Sequence, residues 1–428
     1  MAAETTAKIQ TIAEAQEGTI TDDDLAKHRL LLGVDAVSRG QEFHTEVNSD
    51  AIRNFALSVG DDNPLYTDPS YGSTTRWGSQ VAPQFMAAII QAPLRGQRIP
   101  KELKDQTRGI FKGLHIFMSG GTWNWYRPIL PGDRLYSFEG EETADLKESE
   151  FGGQTLVLVK RFVKFNQRGD VVGVYRALRI MSERKTSAKR GKNMKIEPEM
   201  WDDARIAAVD EAYLAEERRG GESRYWEAVE VGDQMGSIQK GPLTVTEVML
   251  GHVAGYCFHP VRPAASRVAA KDRQRVPAAY VTDSRGVPDT ALRVHWDDEL
   301  AKSVGNPAAY DYGVIREFWL HHFICDWMGD DGFVVRQHDE IRKFNYMGDL
   351  QTISGVVTAK RQEDGMHLVD LDIKATNQRG EDTAFAEVTV SLPSSESGLS
   401  RLPDIPVELQ ERALRFLRTN NLLQAAGQ

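Results

Sequence analysis

Val59-Gly60-Asp61-Asp62-Asn63-Pro64-Leu65-Tyr66-Thr67-Asp68 is the stretch from which the rest of the chain can be read. The apolar positions Ile52, Phe55, Ala56 and Val59 follow helical spacing and run straight into it. Gly60 ends that helix, Asn63-Pro64 makes a turn, and Asp61 and Asp62 stand at the turn. Short polar side chains held over a packed base suit acid/base chemistry. They equally suit an ordinary loop, because Asp and Asn are favoured turn residues.

Outward from this turn, a first unit spans about 40–185. Thr75–Pro83 leads to an expected helix with Pro83 near its first turn and apolar positions at Phe85, Met86, Ile89 and Ile90, ended by Pro93. Residues 109–118 and 122–129 read as strands. Pro131-Gly132-Asp133 then turns into Arg134–Glu141. Gln154–Phe165 and Val171–Ile180 flank a hairpin turn at Asn166-Gln167-Arg168-Gly169.

The pattern then repeats. Met347-Gly348-Asp349 mirrors Pro131-Gly132-Asp133, and Asn377-Gln378-Arg379-Gly380 mirrors Asn166–Gly169, in the same order and between similar strands. This second unit spans about 222–394. It carries a helix from Tyr312 to Met328 whose Ile315, Phe318, Trp319, His322, Phe323 and Trp327 share one face, as a core stripe does. Each half reads as one helix followed by antiparallel strands. A sheet wrapped round a helix is the hot-dog arrangement, so the expected class is α+β, a double hot dog with its sheets joined edge to edge.

The flanks complete the plan. Residues 1–39 form a helical arm, with helices expected at 5–16 and 21–33; Thr21 ahead of Asp22-Asp23-Asp24 is a strong helix start. Residues 186–221 are a basic, then charged, linker and connector helix. Residues 395–428 hold an amphipathic helix over 406–423.

Composition narrows the function. The 428 residues are 41% hydrophobic and 27% charged, as in a soluble globular protein. A net charge of −10 argues against nucleic acid as the main partner. Cys257 and Cys325 offer neither a disulfide framework nor a zinc set, which fits a reducing cytoplasm. The N-terminus has no secretory pattern, and no run is long enough for a membrane span. The ten histidines show no metal-ligand spacing, and no nucleotide-binding glycine motif is present, so neither metal nor cofactor is expected.

The opening stretch resembles the signature of the MaoC-like hydratases and dehydratases (the hydratase-2 family), roughly G-D-x-N-P-[LI]-H-x-D. Gly60, Asp61, Asn63, Pro64, Leu65 and Asp68 match; Tyr66 replaces the family's histidine. The whole region 45–394 resembles a MaoC-like or FAS1-like dehydratase half fused to a second hot-dog half. The resemblance implies a hydro-lyase that hydrates an enoyl-CoA thioester or dehydrates a 3-hydroxyacyl-CoA thioester, with coenzyme A present only as part of the substrate. It also allows a homodimer.

That chemistry needs an Asp/His pair to hold a water and move protons, and a backbone N–H at a helix N-terminus to meet the enolate oxygen. The second half holds His295-Trp296-Asp297, the H-x-D form that Tyr66-Thr67-Asp68 lacks. Aligning the triplets sets His295 against Tyr66 and Asp61 against Thr290, one residue from Asp289. His295 is therefore the candidate acid/base, with Asp289, Asp297 or Asp61 as its carboxylate. Gly313, after Tyr312, is the candidate oxyanion donor, and Gly78 is its counterpart in the first half. Asn63, Tyr66, Trp77, Gly78 and Tyr312 are candidate substrate contacts. Trp77 equally suits core filling, and His321 and His322 read as structural. His252 and His259 flank a segment, 260–292, without counterpart in the first half; as a loop it could cover a pocket. Two other readings stay open: a hot-dog thioesterase using Asp61 and Ser79, and a non-catalytic subunit that binds acyl-CoA or depends on a partner.

Overall fold

A computed structural model describes residues 18–38, 44–149, 153–183, 196–197, 199–252, 266–303 and 306–427. The helix expected at 5–16, most of the basic run 184–198, Cys257 and His259 fall outside the described residues.

One antiparallel sheet of ten strands forms the frame. The first half supplies β1 (Ala36–Val37), β2 (His115–Trp125), β3 (Tyr136–Ser149), β4 (Gly153–Phe165) and β5 (Val171–Ser182). The second half opens with β6 (Gln234–Lys240), followed by β7 (Tyr280–Thr282) and β8 (Pro288–Thr290), which pair as a separate hairpin. It continues with β9 (Phe333–Ile341), β10 (Gln351–Glu363), β11 (Met366–Asn377) and β12 (Asp382–Ser391). The order across the large sheet is β1-β3-β4-β5-β2-β9-β12-β11-β10-β6. The halves join edge to edge at β2 and β9, which covers an edge each half would otherwise expose. Gly120 pairs with Glu340 at that seam, and a Cβ built on Gly120 would lie 2.0 Å from the Asp339 carbonyl oxygen. Only glycine permits so close an approach of two backbones.

The internal repeat holds atom for atom. Asn166 Oδ1 accepts from the N–H groups of Arg168 and Asp170, and Asn377 Oδ1 accepts from those of Arg379 and Glu381. Asp133 Oδ2 accepts from Leu130 N–H, and Asp349 Oδ2 from Tyr346 N–H. The arginine of each turn then pairs with the matching aspartate, Arg168 with Asp133 and Arg379 with Asp349.

The helices are less symmetric. The second half has its central helix at Gly313–Met328, buried from Ile315 onward. In the first half the helix expected after Pro83 is only a 3-10 turn, Gln84–Ala88. The chain beyond it is drawn into strand-like bonds: Gln91 N–H donates to His44 O and Ala92 N–H to Leu135 O. Those bonds divert the N–H groups that would have continued a helix. Where strands are expected over 109–118 and 122–129, there is one, β2 (His115–Trp125); its pairing with β5 shifts register between Met118 and Gly121. The start at Thr21 is as expected: its side chain accepts from Asp24 N–H at 3.1 Å, ahead of helix Asp22–Arg29.

The core runs through both halves. Phe85 meets Phe318 edge-on with ring centroids 5.4 Å apart, and Trp123 stacks on Trp125 at 4.1 Å. The C-terminal helix Val407–Ala425 packs on the first half, with Phe416 stacked on Phe138 at 4.6 Å. Among the described residues no helix is long and apolar enough to cross a membrane.

Candidate functional site

The two ends of the central helix are where the chemistry-bearing residues gather. At its N-terminus, Tyr312 precedes Gly313 and makes no side-chain cap bond. The first N–H groups of any α-helix lack intrahelical partners and carry the positive end of its dipole. The His295 ring lies 4.0 Å from the Tyr312 ring, at the end of the 3-10 turn Ala291–His295. Its Nδ1 is 2.9 Å from the Tyr310 carbonyl oxygen. A carbonyl only accepts, so Nδ1 carries the proton and Nε2 keeps its lone pair. Burial lowers the His295 pKa to about 4, so the ring is neutral at pH 7.

Both motifs hold a side chain that accepts from the backbone two residues on. Asp61 Oδ1 accepts from the N–H two residues on, at Asn63, and Thr290 Oγ1 accepts from the N–H two residues on, at Leu292. His295 and Tyr66 each follow that acceptor by five residues, although the helix cap is Thr290 in the second half and Asn63 in the first. The carboxylates near His295 in sequence turn to Arg293 instead: Asp297 Oδ2 lies 2.9 Å from its Nε and Asp289 Oδ2 lies 3.5 Å from its Nη1. Asp297 Oδ1 also accepts from Leu300 N–H.

At the other end, the Gly60–Asp68 turn meets the last third of the helix. Helix Ser49–Ser58 stops at Gly60, whose φ of 75° a glycine adopts readily. Asn63 caps the short helix Pro64–Thr67 through its Oδ1 and donates from Nδ2 to Asp330 Oδ1 at 2.9 Å. Tyr71 donates its hydroxyl to the other oxygen of Asp330, and Trp77 Nε1 donates to the Asp330 carbonyl. Tyr66 is buried and hydrogen-bonded to the Cys325 thiol; burial raises its pKa well above 10, so it stays a neutral phenol. Asn63, Tyr66, Trp77, Cys325, Met328 and Phe333 line a shallow pocket between the halves. Gly78 lies in a turn, its N–H bonded to Thr75 O, six residues before the 3-10 turn rather than at a helix start.

Asp61 does not approach His295 in this arrangement; it faces His322. His322 Nε2 is 3.9 Å from Asp61 Oδ1 and 3.1 Å from Asp326 Oδ2, and its Nδ1 is 2.7 Å from Lys240 Nζ. Lys240 also donates to Val59 O. All four side chains are more than nine-tenths buried. Burial, then Lys240, lowers the His322 pKa to about 4; burial raises Asp326 to about 7, raises Asp61 and lowers Lys240. Sequence reasoning passed over Lys240, Asp326 and Asp330, and read His322 as core. The four-residue spacing of His322 and Asp326 on one helical face was the available signal.

The ligand atoms of Asp61, His322 and Asp326 lie within 4.8 Å of one another, a spacing a metal ion could use. Lys240 argues against that use. A metal-bound imidazole donates its other N–H to an acceptor, whereas this ring nitrogen faces an ammonium group, which only donates.

Residues 36–174 match the family described as "FAS1-like, dehydratase domain region". A UPF0336 protein of Mycolicibacterium paratuberculosis is 32% identical over 91 residues, covering 21% of this chain and 49% of that protein. The chain spans about half the length of the curated relatives it matches, 49% and 57%. Among solved structures, a MaoC-like dehydratase superposes with a TM-score of 0.54 at 15% identity, over 85% of this chain and 99% of that one. A MaoC domain protein dehydratase from Chloroflexus aurantiacus does so at 0.50 and 12%, over 85% and 95%. Likeness at this identity establishes the fold and leaves the activity to the site.

Proposed function

We propose, from the FAS1-like dehydratase match over residues 36–174 and the hot-dog fold shared with MaoC-like dehydratases, a hydro-lyase acting on an enoyl-CoA or 3-hydroxyacyl-CoA thioester. The observation that supports this reading best is the placement of His295, neutral and with Nδ1 held by the Tyr310 carbonyl, against Tyr312 at the start of the central helix. In the hydration direction, water adds its oxygen to the β-carbon and gives a proton to His295 Nε2. The electron pair of the double bond moves toward the thioester, whose oxygen takes a hydrogen bond from Gly313 N–H. His295 Nε2–H then returns that proton to the α-carbon, which completes the product and restores the neutral ring. Preorganised backbone donors at a developing oxyanion are worth about 3 kcal/mol or more, and a positioned acid/base about 10²–10⁴-fold.

The supporting carboxylate is Asp289 or Asp297 once released from Arg293. Asn63, Tyr66 and Trp77 line the pocket at the other end of the central helix, about 18 Å from Gly313 along the helix axis. The test is a turnover screen over a small panel of enoyl-CoA and 3-hydroxyacyl-CoA esters with wild type and His295→Ala. The expected result is a loss of at least about 10²-fold in the variant at unchanged melting temperature. Near-full activity in His295→Ala would sink the assignment.

One observation favours a second reading, an acyl-CoA-binding subunit without turnover: both nearby carboxylates are engaged by Arg293. Tight acyl-CoA binding with no product from any ester of the panel would decide for it.

A further inference from the structure

The buried cluster of Lys240, His322, Asp326 and Asp61 lies outside the chemistry assigned to His295. It joins three separate pieces of chain. Asp61 comes from the Gly60–Asp68 turn of the first half, Lys240 from the end of β6, and His322 and Asp326 from the central helix. Burying ionisable groups is expensive unless they are paired, so four of them kept together need a reason.

Hydrogen bonding fixes the arrangement. The Lys240 ammonium can only donate, so His322 Nδ1 is the acceptor at 2.7 Å. The ring proton is therefore on Nε2, the nitrogen that lies 3.1 Å from Asp326 Oδ2 and 3.9 Å from Asp61 Oδ1. His322 thus lies between two carboxylates from opposite halves. Asp326 Oδ1 is buried with no hydrogen-bond partner, a cost that is larger for an ionised carboxylate than for a neutral carboxyl. The charged and titratable groups around the cluster are Asp62 on the same turn, Glu216 and Arg218 beside the connector helix, Glu247, Asp330 after the central helix, and the Tyr66 and Cys325 pair.

We propose that Asp61, His322 and Asp326 are positioning residues that share one proton across the boundary between the halves, and so pin the central helix that presents Gly313 to the active site. This rests on the hydro-lyase reading for its catalytic consequence, but not for the proton itself. It also gives Asp61 a role in a motif whose histidine is Tyr66: Asp61 is re-partnered with an imidazole from the other half. His322 is nine residues along the helix from Gly313, about 13 Å, so it acts through the helix and not on the substrate.

The proton sharing has a thermodynamic signature. Asp326, raised from 3.8 to about 7, binds a proton more tightly in the folded chain; alone it makes stability fall as pH rises from about 4 to 7. His322, lowered from 6.5 to about 4, binds one less tightly; alone it makes stability rise from about pH 4 to 6.5. The two slopes oppose each other in wild type. Single substitutions separate them, because removing one group leaves in place the burial that is the largest cause of the other's shift.

The experiment measures unfolding equilibria of the full chain from pH 4 to 8 for wild type, His322→Gln and Asp326→Asn, together with thioester turnover of the folded proteins. Relative to wild type, the folding constant of His322→Gln should fall with rising pH, by up to about tenfold per unit, and that of Asp326→Asn should rise. Both variants should lose at least tenfold in kcat with KM little changed. Parallel slopes in all three proteins overturn the shared proton. Opposed slopes with unchanged kcat overturn the positioning role. Zinc that stabilises wild type but not His322→Gln overturns both in favour of a metal site. Should a variant not fold, ¹⁵N spectra of the wild-type histidines carry the test: His322 must show its proton on Nε2, and a proton on Nδ1 refutes the arrangement. The pH slopes and spectra need no substrate, so failure of the hydro-lyase reading would leave them standing.

Discussion

His322 Nε2 stands 3.9 Å from Asp61 Oδ1, across the boundary between the two halves of the chain. The family signature places a histidine five residues after this aspartate; here that position is Tyr66, and the imidazole nearest Asp61 comes from 261 residues away. Tyr66 has a different partner, the Cys325 thiol one helical turn beyond His322. Tyr66→Phe removes that bond and leaves the ring in place. It should cost about 1 kcal/mol, read by urea unfolding, with the Asp61–His322 pairing intact.

The pH dependence of turnover should report His295. Its pKa is lowered to about 4 by burial, so the ring remains a neutral base well below the usual histidine range. The acid limb of kcat/KM is expected between pH 4 and 5 rather than near 6.5, in wild type and not in any residual activity of His295→Ala. Stability carries the opposite face of the same shift. The unfolded chain binds the proton more tightly, so the contribution of His295 to folding is lost as pH falls from about 6.5 to 4. A pH–rate profile paired with a pH–melting profile checks both.

Gly313→Ala isolates the backbone donor. A Cβ at that position would meet Ile341 Cγ2 at 3.5 Å, an ordinary contact, and the residue has helical geometry. The variant should fold with unchanged melting temperature. If the thioester oxygen approaches Gly313 N–H, the added methyl group stands in its way, and kcat should fall by about 10²-fold. Full activity would remove Gly313 from the mechanism.

Gly120→Ala tests the seam of the sheet. The new Cβ would lie 2.0 Å from the Asp339 carbonyl oxygen, on a backbone with φ of 107°. Neither strand can yield without breaking the β2–β9 pairing. A loss of at least about 4 kcal/mol is expected, seen as a lowered urea midpoint or as separate unfolding of the two halves.

The repeat makes a matched pair of predictions. Asn166 and Asn377 each accept two backbone N–H groups in equivalent turns. Asn166→Ala and Asn377→Ala should therefore cost similar amounts, about 1–3 kcal/mol each, in equilibrium unfolding. A large difference would mean that the turns are alike in sequence only.

The sequence by itself determined the α+β class, the duplication and the edge-to-edge plan. Those rest on local rules: alternation along strands, glycine and asparagine at turns, and the Gly-Asp and Asn-Gln-Arg-Gly landmarks that recur in order. It also marked His295, because a triplet and a repeat are linear patterns. The tertiary structure decided what linear patterns do not contain. It shortened the first helix to a 3-10 turn, because Gln91 and Ala92 bond to other segments. It turned Asp289 and Asp297 toward Arg293. It set His322 and Lys240 against Asp61, although Lys240 lies at the end of a strand and His322 lies in an apolar helical stripe. Side-chain partners separated by hundreds of residues follow from how the two halves close on each other, and burial then sets their protonation.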